Sequence, residues 1–561
     1  MTPAIPNYDA DVLAKNLSNL SQPSNTFTTP WYQFLSRIRG LLLDAPPVAL
    51  SRFEASFNGR NDDTVPFQRA INQVVAQGGG VILLDKPGTL SINSVFTPAG
   101  NTPIWITGLG PGVTTVKRRD TLAPGSGLID ISGSNVTLSE FAIDGGTTVP
   151  RGLQYGVDFN GIGGNDPMSP VLTNNTSVWV HGNTSMLSFQ RMMFTHAAGY
   201  LLLLDAMQGD VTDIDVLNCF FVNNYPFLFG TDAAHLIYGS WGGGLFAKGD
   251  GRTSGSGVVR NLLVSQCRWK RALGNCCWQH LYGLNRLHEN IRITDCFFED
   301  TGLDGVLMGG VSGGVVSGNV FHRVGYTVVD DTSPSVPRWL ANVPAVALDS
   351  AGLVRGVNYE CNTFRSVNGG CVDIDSHGQS SISGNLCIIP RVGESDYVAD
   401  SIAITGPNNN SSNTYGVSLS NSSQSPEGAI DVNIGDNTFI NLSGGSIRLY
   451  AARNCYAHGN IIDAPDAPVN PPIALGPIGP GPYQRCYNNR ISDNHCTYSP
   501  PSGGTPLIFE DDTVSGGNPF TAGEKNYCFG NQPLLGNGNS VEFVKSPTSG
   551  SPVFAATTWF P

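Results

Sequence analysis

Asn319-Val320-Phe321, Asn362-Thr363-Phe364, Asn385-Leu386-Cys387, Asn437-Thr438-Phe439 and Asn460-Ile461-Ile462 repeat one short pattern, an Asn followed two places on by an apolar residue. Asn362 to Asn385 is 23 residues, Asn437 to Asn460 is 23, and Asn319 to Asn362 is 43. Cys296-Phe297-Phe298 falls in the same frame, 23 residues before Asn319. Short apolar runs returning at that period, among many glycines, mean single turns of strand stacked on one another, because each turn can bury its inner face only against its neighbours. An Asn at one repeated corner can hydrogen-bond to the Asn above and below it, which offsets the cost of burying an amide. The expected fold is all-β, a parallel β-helix.

Composition agrees with that reading. The chain has 561 residues, of which 68 are Gly, 37 are Pro and only 13% are charged, which suits tight turns and short strands rather than long helices. A solenoid can hold most of such a length as one domain. A formal charge of −13 with no basic block argues against a nucleic-acid partner and fits a neutral or weakly charged substrate. Cys219, Cys267, Cys296, Cys361, Cys387 and Cys496 stand where other repeats carry Phe or Asn, and read as small buried fillers. No CxxC occurs, and the adjacent Cys276 and Cys277 point to opposite faces of any strand, so neither a zinc site nor a cofactor is expected. The opening MTPAIPNYDADVLAKN lacks a basic region and an apolar core, so no secretory signal is expected. No apolar run is long enough for a membrane span, so no membrane insertion is expected.

Three regions follow. Residues 1–50 differ in texture, and Trp31, Phe34, Leu35 and Ile38 fall at helical spacing, which predicts a short amphipathic helix. That helix either docks on a partner or folds back on its own body. Residues 51–500 carry the rungs, interrupted by loops at 230–257, 331–351 and 406–427. Residues 501–561 read as a C-terminal β-rich cap or trimerisation region, ending in a Trp559-Phe560 aromatic cluster. At the start of the rungs, Asp63 or Thr64 can cap a helix near 63–77 whose Phe67, Ala70, Ile71, Val74 and Val75 form one stripe, and Gly78-Gly79-Gly80 stops it.

The run Asp62-Asp63-Thr64, Phe67-Gln68, Ala70-Ile71 and Gly78-Gly79-Gly80 before Ile82 resembles the opening of pectate-lyase-superfamily β-helices, including phage tailspike depolymerases. The resemblance covers about 30 residues. It implies a right-handed parallel β-helix with a capping helix, and it does not choose a chemistry, since lyases, hydrolases, epimerases and spikes share it.

Superposing the repeats on the residue that follows each Asn by two tests for clusters that sequence distance hides. Eight positions after that anchor stand Val306, Val329, Val372 and Ile447, which are expected to stack inward. Strand alternation then turns the ninth and eleventh positions outward. Those positions hold Asp330, Asp373 and Arg448, then Asp375 and Tyr450, and one rung earlier Trp278 and His280. Asp330 and Asp373 are thus expected on neighbouring rungs about 4.8 Å apart, with Asp375 about 6.5–7 Å along the strand from Asp373. Carboxylates that close raise one another's proton affinity, so one can serve as acid while another is ionised, as glycosidic cleavage requires. His377 would tune one of them. Asp373-x-Asp375-x-His377-Gly378 loosely resembles the acidic and Gly-His-Gly signatures of polygalacturonase-like hydrolases, fused here, without the downstream Arg-x-Lys. Clustered Asp can also hold calcium, which would fit a lyase. A second segment, Tyr282-Gly283 through His288-Glu289 with Gly302-Leu303-Asp304-Gly305, is similar to a mannuronan C5-epimerase motif, but Asn285 stands where that family carries Asp.

The candidate catalytic set is therefore Asp330, Asp373, Asp375 and His377, and the candidate substrate-binding set is Trp278, His280, Tyr282, Arg448 and Tyr450. Glu299 and Asp300, just after the Phe298 anchor, are candidate groove-edge acids or solvated turn residues. The resemblance implies a homotrimeric phage tailspike, attached to the virion tail or baseplate through residues 1–50. It would act outside the cell on a host capsular or lipopolysaccharide glycan. A non-catalytic glycan-binding adhesin and a pectate-lyase-like lyase are the alternatives.

Overall fold

The computed structural model describes residues 46–545, except 120–126, 146–175, 198–199, 223–243, 253–256, 271, 273–274, 282, 284, 302–303, 330–337, 342–345, 368, 376–377, 390–403, 406–414, 421–427, 443, 465–470, 477–485, 498–507, 511–525 and 535–542. The expected helix at residues 30–38 and the terminal aromatic cluster lie outside the described residues.

Each ladder Asn is fixed at a sharp corner. The residue before it adopts a left-handed backbone: Gly318, Cys361, Gly384, Asp436, Gly459, Asp493 and Gly530 have φ between 55° and 67°, and Asp295 does the same before Cys296. Gly reaches that region without penalty and Asp with little, which explains the recurrence of Gly-Asn and Asp-Asn in the repeats. Cys361, expected as a buried filler, occupies this corner and is exposed.

Beyond the corner, the Asn side chains form the expected ladder. The Nδ2 of Asn319 donates to Asn362 Oδ1 at 3.0 Å, Asn362 to Asn385 at 3.0 Å, and Asn385 to Asn437 at 2.9 Å. The ladder continues from Asn437 to Asn460 at 3.0 Å, to Asn494 at 2.8 Å and to Asn531 at 2.9 Å. Each of these oxygens also accepts the backbone N–H of the Asn one rung earlier, and each Nδ2 also donates to a backbone carbonyl, as Asn362 does to Val316 at 2.9 Å. The amide hydrogen-bonding capacity is thereby filled inside the protein. Toward the N-terminus thiols take over the corner: the Cys267 N–H meets Cys296 Sγ at 3.4 Å, and the Cys219 N–H meets Cys267 Sγ at 3.4 Å.

Between corners the chain runs in short strands that pair in parallel with the next turn, giving an all-β right-handed parallel β-helix. One set of strands forms a 15-stranded sheet, and the other two faces merge into a 27-stranded one because Val306–Ser317 and Leu348–Glu360 bend across both. Inside the coil, Phe194, Phe221, Trp269, Phe298, Phe321 and Phe364 stack with ring centroids 4.7–5.0 Å apart and planes within 11°. The anchors identified from the repeats are in register as expected, and Phe364 passes the stack to Cys387, Phe439 and Ile462.

The helix Thr64–Ala76 closes the first turns with Phe67, Ala70, Ile71 and Val74 fully buried. Its cap differs in detail from expectation. Asp62 Oδ1 accepts the Thr64 N–H at 2.9 Å, while Asp63 turns inward to accept the N–H groups of Ser56 at 2.6 Å and Ser91 at 3.3 Å. At the other end stacking does not stop near residue 500: Ile508–Glu510, Tyr527–Phe529, Gln532–Leu534 and Phe543–Lys545 all pair with earlier rungs. Among the described residues no helix is long and apolar enough to cross a membrane.

Asn385→Ala removes the acceptor of two N–H groups on Asn362 and the donor to Tyr359 O. It is expected to destabilise the coil by about 2–4 kcal/mol, against about 1 kcal/mol for Cys267→Ala, whose thiol is the weaker acceptor. Rates of thermal unfolding at one fixed temperature measure the difference, and equal rates for both variants would contradict it.

Candidate active site

The strand register decides which side chains share the outer face. Cys277 pairs with Val306, Val306 with Leu348, Leu348 with Val372, Val372 with Val417 and Val417 with Ile447. All six are at most 1% exposed, so this column points inward and its neighbours point outward. Val329 is not in it. After Val324 the chain leaves the coil, and Tyr326–Val329 pairs antiparallel with Arg338–Ala341, whose other edge meets Ile404–Thr405. The rung resumes at Leu348, 27 residues after Phe321, where the repeat count placed it eight residues after. Asp330 therefore does not follow a stacked Val329, and itself lies outside the described residues. Its expected place beside Asp373 belongs to Asp349.

The outward column then reads Trp278, Leu307, Asp349, Asp373, Ser418 and Arg448, each the cross-strand partner of the next. Asp349 and Asp373 are neighbours across one rung, about 4.8 Å apart along the helix axis, and Asp375 follows Asp373 on the same side about 7 Å along the strand. Asp304, two residues before the strand Val306–Ser317, completes the group from the preceding rung. Its Oδ1 accepts the Val346 N–H at 3.0 Å, and its own N–H is held by Asn275 Oδ1 at 3.2 Å. All four acids are half-buried, walled by protein yet reachable.

Their electrostatics follow from that crowding. Burial pushes the Asp304 carboxyl up to about 7. Burial and then Asp304, Asp373 and Asp375 hold Asp349 well above the usual carboxylate range. Asp373 is pushed up to about 7 by burial and by Asp375, against the pull of Tyr415, the nearby Ser418 hydroxyl and Arg448. Asp375 is raised by burial and eased by the Ser420 hydroxyl, which donates to its Oδ1. The four thus divide: Asp349 holds its proton most firmly, while Asp373 and Asp375 have the donors that favour ionisation.

A second layer fixes Asp373. The Tyr415 hydroxyl donates to its Oδ2 at 2.9 Å, and the Arg448 guanidinium lies 4.5 Å from the centre of the Tyr415 ring. Arg448 is itself held by Nε donating to Gly444 O at 2.9 Å. Tyr415 can lie there because its strand partner is Gly370, where a Cβ would stand 2.3 Å from the ring. Oδ1 of Asp373 is buried and takes no hydrogen bond among the described residues.

The other candidates sort as follows. Arg448 and Tyr450 lie on the outer face as expected, half-buried. Trp278 is only 6% exposed, enclosed by Phe246 at 4.5 Å between ring centroids and by Leu307, so it offers no open face to a sugar. His280 is half-buried and meets Trp278 edge-on. Tyr282 and His377 lie outside the described residues. His288 is fully buried with Nδ1 accepting the Val259 N–H at 2.9 Å and Nε2 facing His280 O at 3.2 Å; burial pushes it down to about 4. It is a neutral structural histidine, which leaves the epimerase-like segment without an accessible imidazole there. Glu299 is bound by Arg268 at 2.6 Å, Lys270 at 3.3 Å and Arg323 at 3.1 Å, and Arg323 also pairs with Asp300. Among the described residues no group of three or more His, Cys, Asp or Glu is placed to hold a metal ion.

These raised acids tie stability to pH. A carboxyl near 3.9 when unfolded and near 7 when folded keeps its proton longer in the native state, so its contribution is fullest below about pH 4 and is lost as pH rises through about 7. The thermal midpoint is expected to fall between about pH 5 and about pH 8, and Asp349→Asn is expected to melt higher than the parent at about pH 8. Thermal scans across that range measure both, and a midpoint that rises with pH would contradict the assignment.

No protein-family model matches the chain, and no curated protein matches it. Among solved structures, the Streptococcus pneumoniae surface protein and adhesin PfbA aligns at 13% identity over 83% of this chain and 100% of that one, with a TM-score of 0.49. A hyperthermoactive exopolygalacturonase from Thermotoga maritima aligns at 11% identity over 88% of this chain and 91% of that one, with a TM-score of 0.40. ORF18 of Geobacillus virus E2 aligns at 14% identity over 91% of this chain and 65% of that one, with a TM-score of 0.34. At these values the alignments assign this chain no activity.

Proposed function

We propose that this chain hydrolyses a polysaccharide, with Asp349 as general acid and Asp373 and Asp375 as the ionised partners. The observation that carries the reading is the pairing of Asp349 with Asp373 across one rung, beside Asp375 and Asp304, on an accessible outer face. Asp349 would give its proton to the glycosidic oxygen as the bond to the anomeric carbon breaks. Asp375, on the diagonal from Asp349 at about 8 Å, leaves room for a water between acid and base, within the range for inversion of configuration. That water adds to the anomeric carbon and loses its proton to the carboxylate. Asp373 lies between the two and supports the positive charge that develops on the sugar.

The setting rests on the sequence resemblance at residues 62–82: a homotrimeric phage tailspike, bound to the virion through residues 1–50, whose substrate is a host capsular or lipopolysaccharide glycan. Light scattering of the full chain is expected to give the mass of three copies.

Incubation with host surface polysaccharide is expected to release shorter oligosaccharides, with inverted anomers by proton NMR. Asp349→Asn and Asp373→Asn are each expected to lower that rate by about 10²–10⁴-fold while binding persists. Release at the parental rate by either variant would remove it from the site. Binding without any release would make the protein an adhesin, and an unsaturated product absorbing in the ultraviolet would replace hydrolysis by elimination.

A further inference from the structure

The outward column that holds the acids runs on toward the N-terminus of the coil, and its far end is also built. Phe96 pairs with Asp130, and Asp130 with Trp179, on consecutive rungs of the same face. The Phe96 ring is 54% exposed, while its backbone is pinned to the capping helix: Gln68 accepts its N–H at 2.9 Å and donates to its carbonyl at 3.0 Å. Asp130 Oδ1 meets His181 Nε2 at 2.5 Å, with side-chain exposures of 17% and 25%. His181 in turn packs against the half-buried Trp179 ring at 4.4 Å between centroids.

Beneath this surface the indole is clamped. Trp179 Nε1 donates to Asp205 Oδ2 at 3.1 Å, and the same oxygen is paired with Lys248 Nζ at 3.0 Å, with side-chain exposures of only 10% and 3%. A buried ion pair contributes little stability over apolar packing, since desolvation offsets most of its attraction. What this one does is fix the edge, and so the plane, of an aromatic ring. A rigid aromatic face, an exposed aromatic two rungs away at about 10 Å, and a carboxylate–imidazole pair between them match the surfaces of a sugar chain: apolar C–H faces with hydroxyls at the rim. The rung spacing is close to the length of one sugar unit in an extended chain.

We infer that Phe96, Asp130, Trp179 and His181 form a second glycan-binding site that takes a neutral segment of an oligosaccharide. The inference rests on the reading of a polysaccharide substrate, and it concerns a different part of the molecule from the acids. Five rungs, about 24 Å, separate Trp179 from Asp349. The rungs between carry Leu203, Phe246, Trp278 and Leu307, all at most 8% exposed, so the two sites are not one continuous open surface. A long glycan lying along the coil can hold both at once, which raises its residence without a new contact at the acids.

The full-length protein is screened on an array of neutral bacterial-surface oligosaccharides of increasing length, and the best ligand is titrated by calorimetry. Phe96→Ser removes a largely exposed ring, and Trp179→Phe keeps a ring but releases it from Asp205. Phe96→Ser is expected to weaken binding by about tenfold and Trp179→Phe by a smaller factor. Unchanged affinity in both ring variants would overturn the site, as would a loss of oligomeric mass in Phe96→Ser, which would make the patch a subunit contact. No binding by the parent protein to any glycan would overturn the site together with the polysaccharide reading. Weakened binding by the ring variants with full cleavage by Asp349→Asn would support this site and overturn the catalytic one.

Discussion

A parallel ladder holds each residue directly over its partner one turn away, about 4.8 Å apart, and every property of this molecule depends on that fixed vertical register. The Asn corner enforces it. Because each amide accepts two hydrogen bonds from one rung and donates to the next, a slip of one residue would leave several buried polar groups without partners. The left-handed residue before each Asn sets the corner, and the stacked rings behind it fill the space that the corner encloses.

That register also lets like charges accumulate. Asp349 and Asp373 face each other because their strands pair, not because they attract, and Asp304 and Asp375 crowd the same spot. The fold is rigid enough to hold four acids where solution chemistry would disperse them, and the strain appears as raised proton affinity. The apparatus around Asp373 works in the opposite direction: Tyr415, seated on Gly370 and covered by Arg448, offers a donor that favours the ionised form. Unequal environments on adjacent rungs are what separate an acid from a base.

On the same face, charge is handled differently a few rungs away. Asp205 is neutralised by Lys248 in a nearly closed environment and used to orient Trp179, while Asp130 is tied to His181 at the surface. One outer face therefore carries crowded carboxyls, apolar side chains sealed by contact, and carboxylates paired with a lysine or an imidazole.

The sequence alone determined the coil, its anchors and its ladder, because those features repeat at short range and a period can be counted. It also placed Asp373, Asp375, Arg448 and Tyr450 on one face, since strand alternation is a local rule. It misplaced the partner of Asp373 because a loop that leaves the coil for an antiparallel excursion has no fixed length, so counting from Phe321 reached Val329 instead of Leu348. A local signal was present: Ala347-Leu348-Asp349 repeats Cys371-Val372-Asp373, an apolar pair followed by Asp. Only the tertiary structure decided that Trp278 is sealed beneath its neighbours, that His288 is a buried neutral group, and that Asp304 joins the acids. Burial and the crossing of distant turns are properties of the packed coil, and no count along the chain contains them.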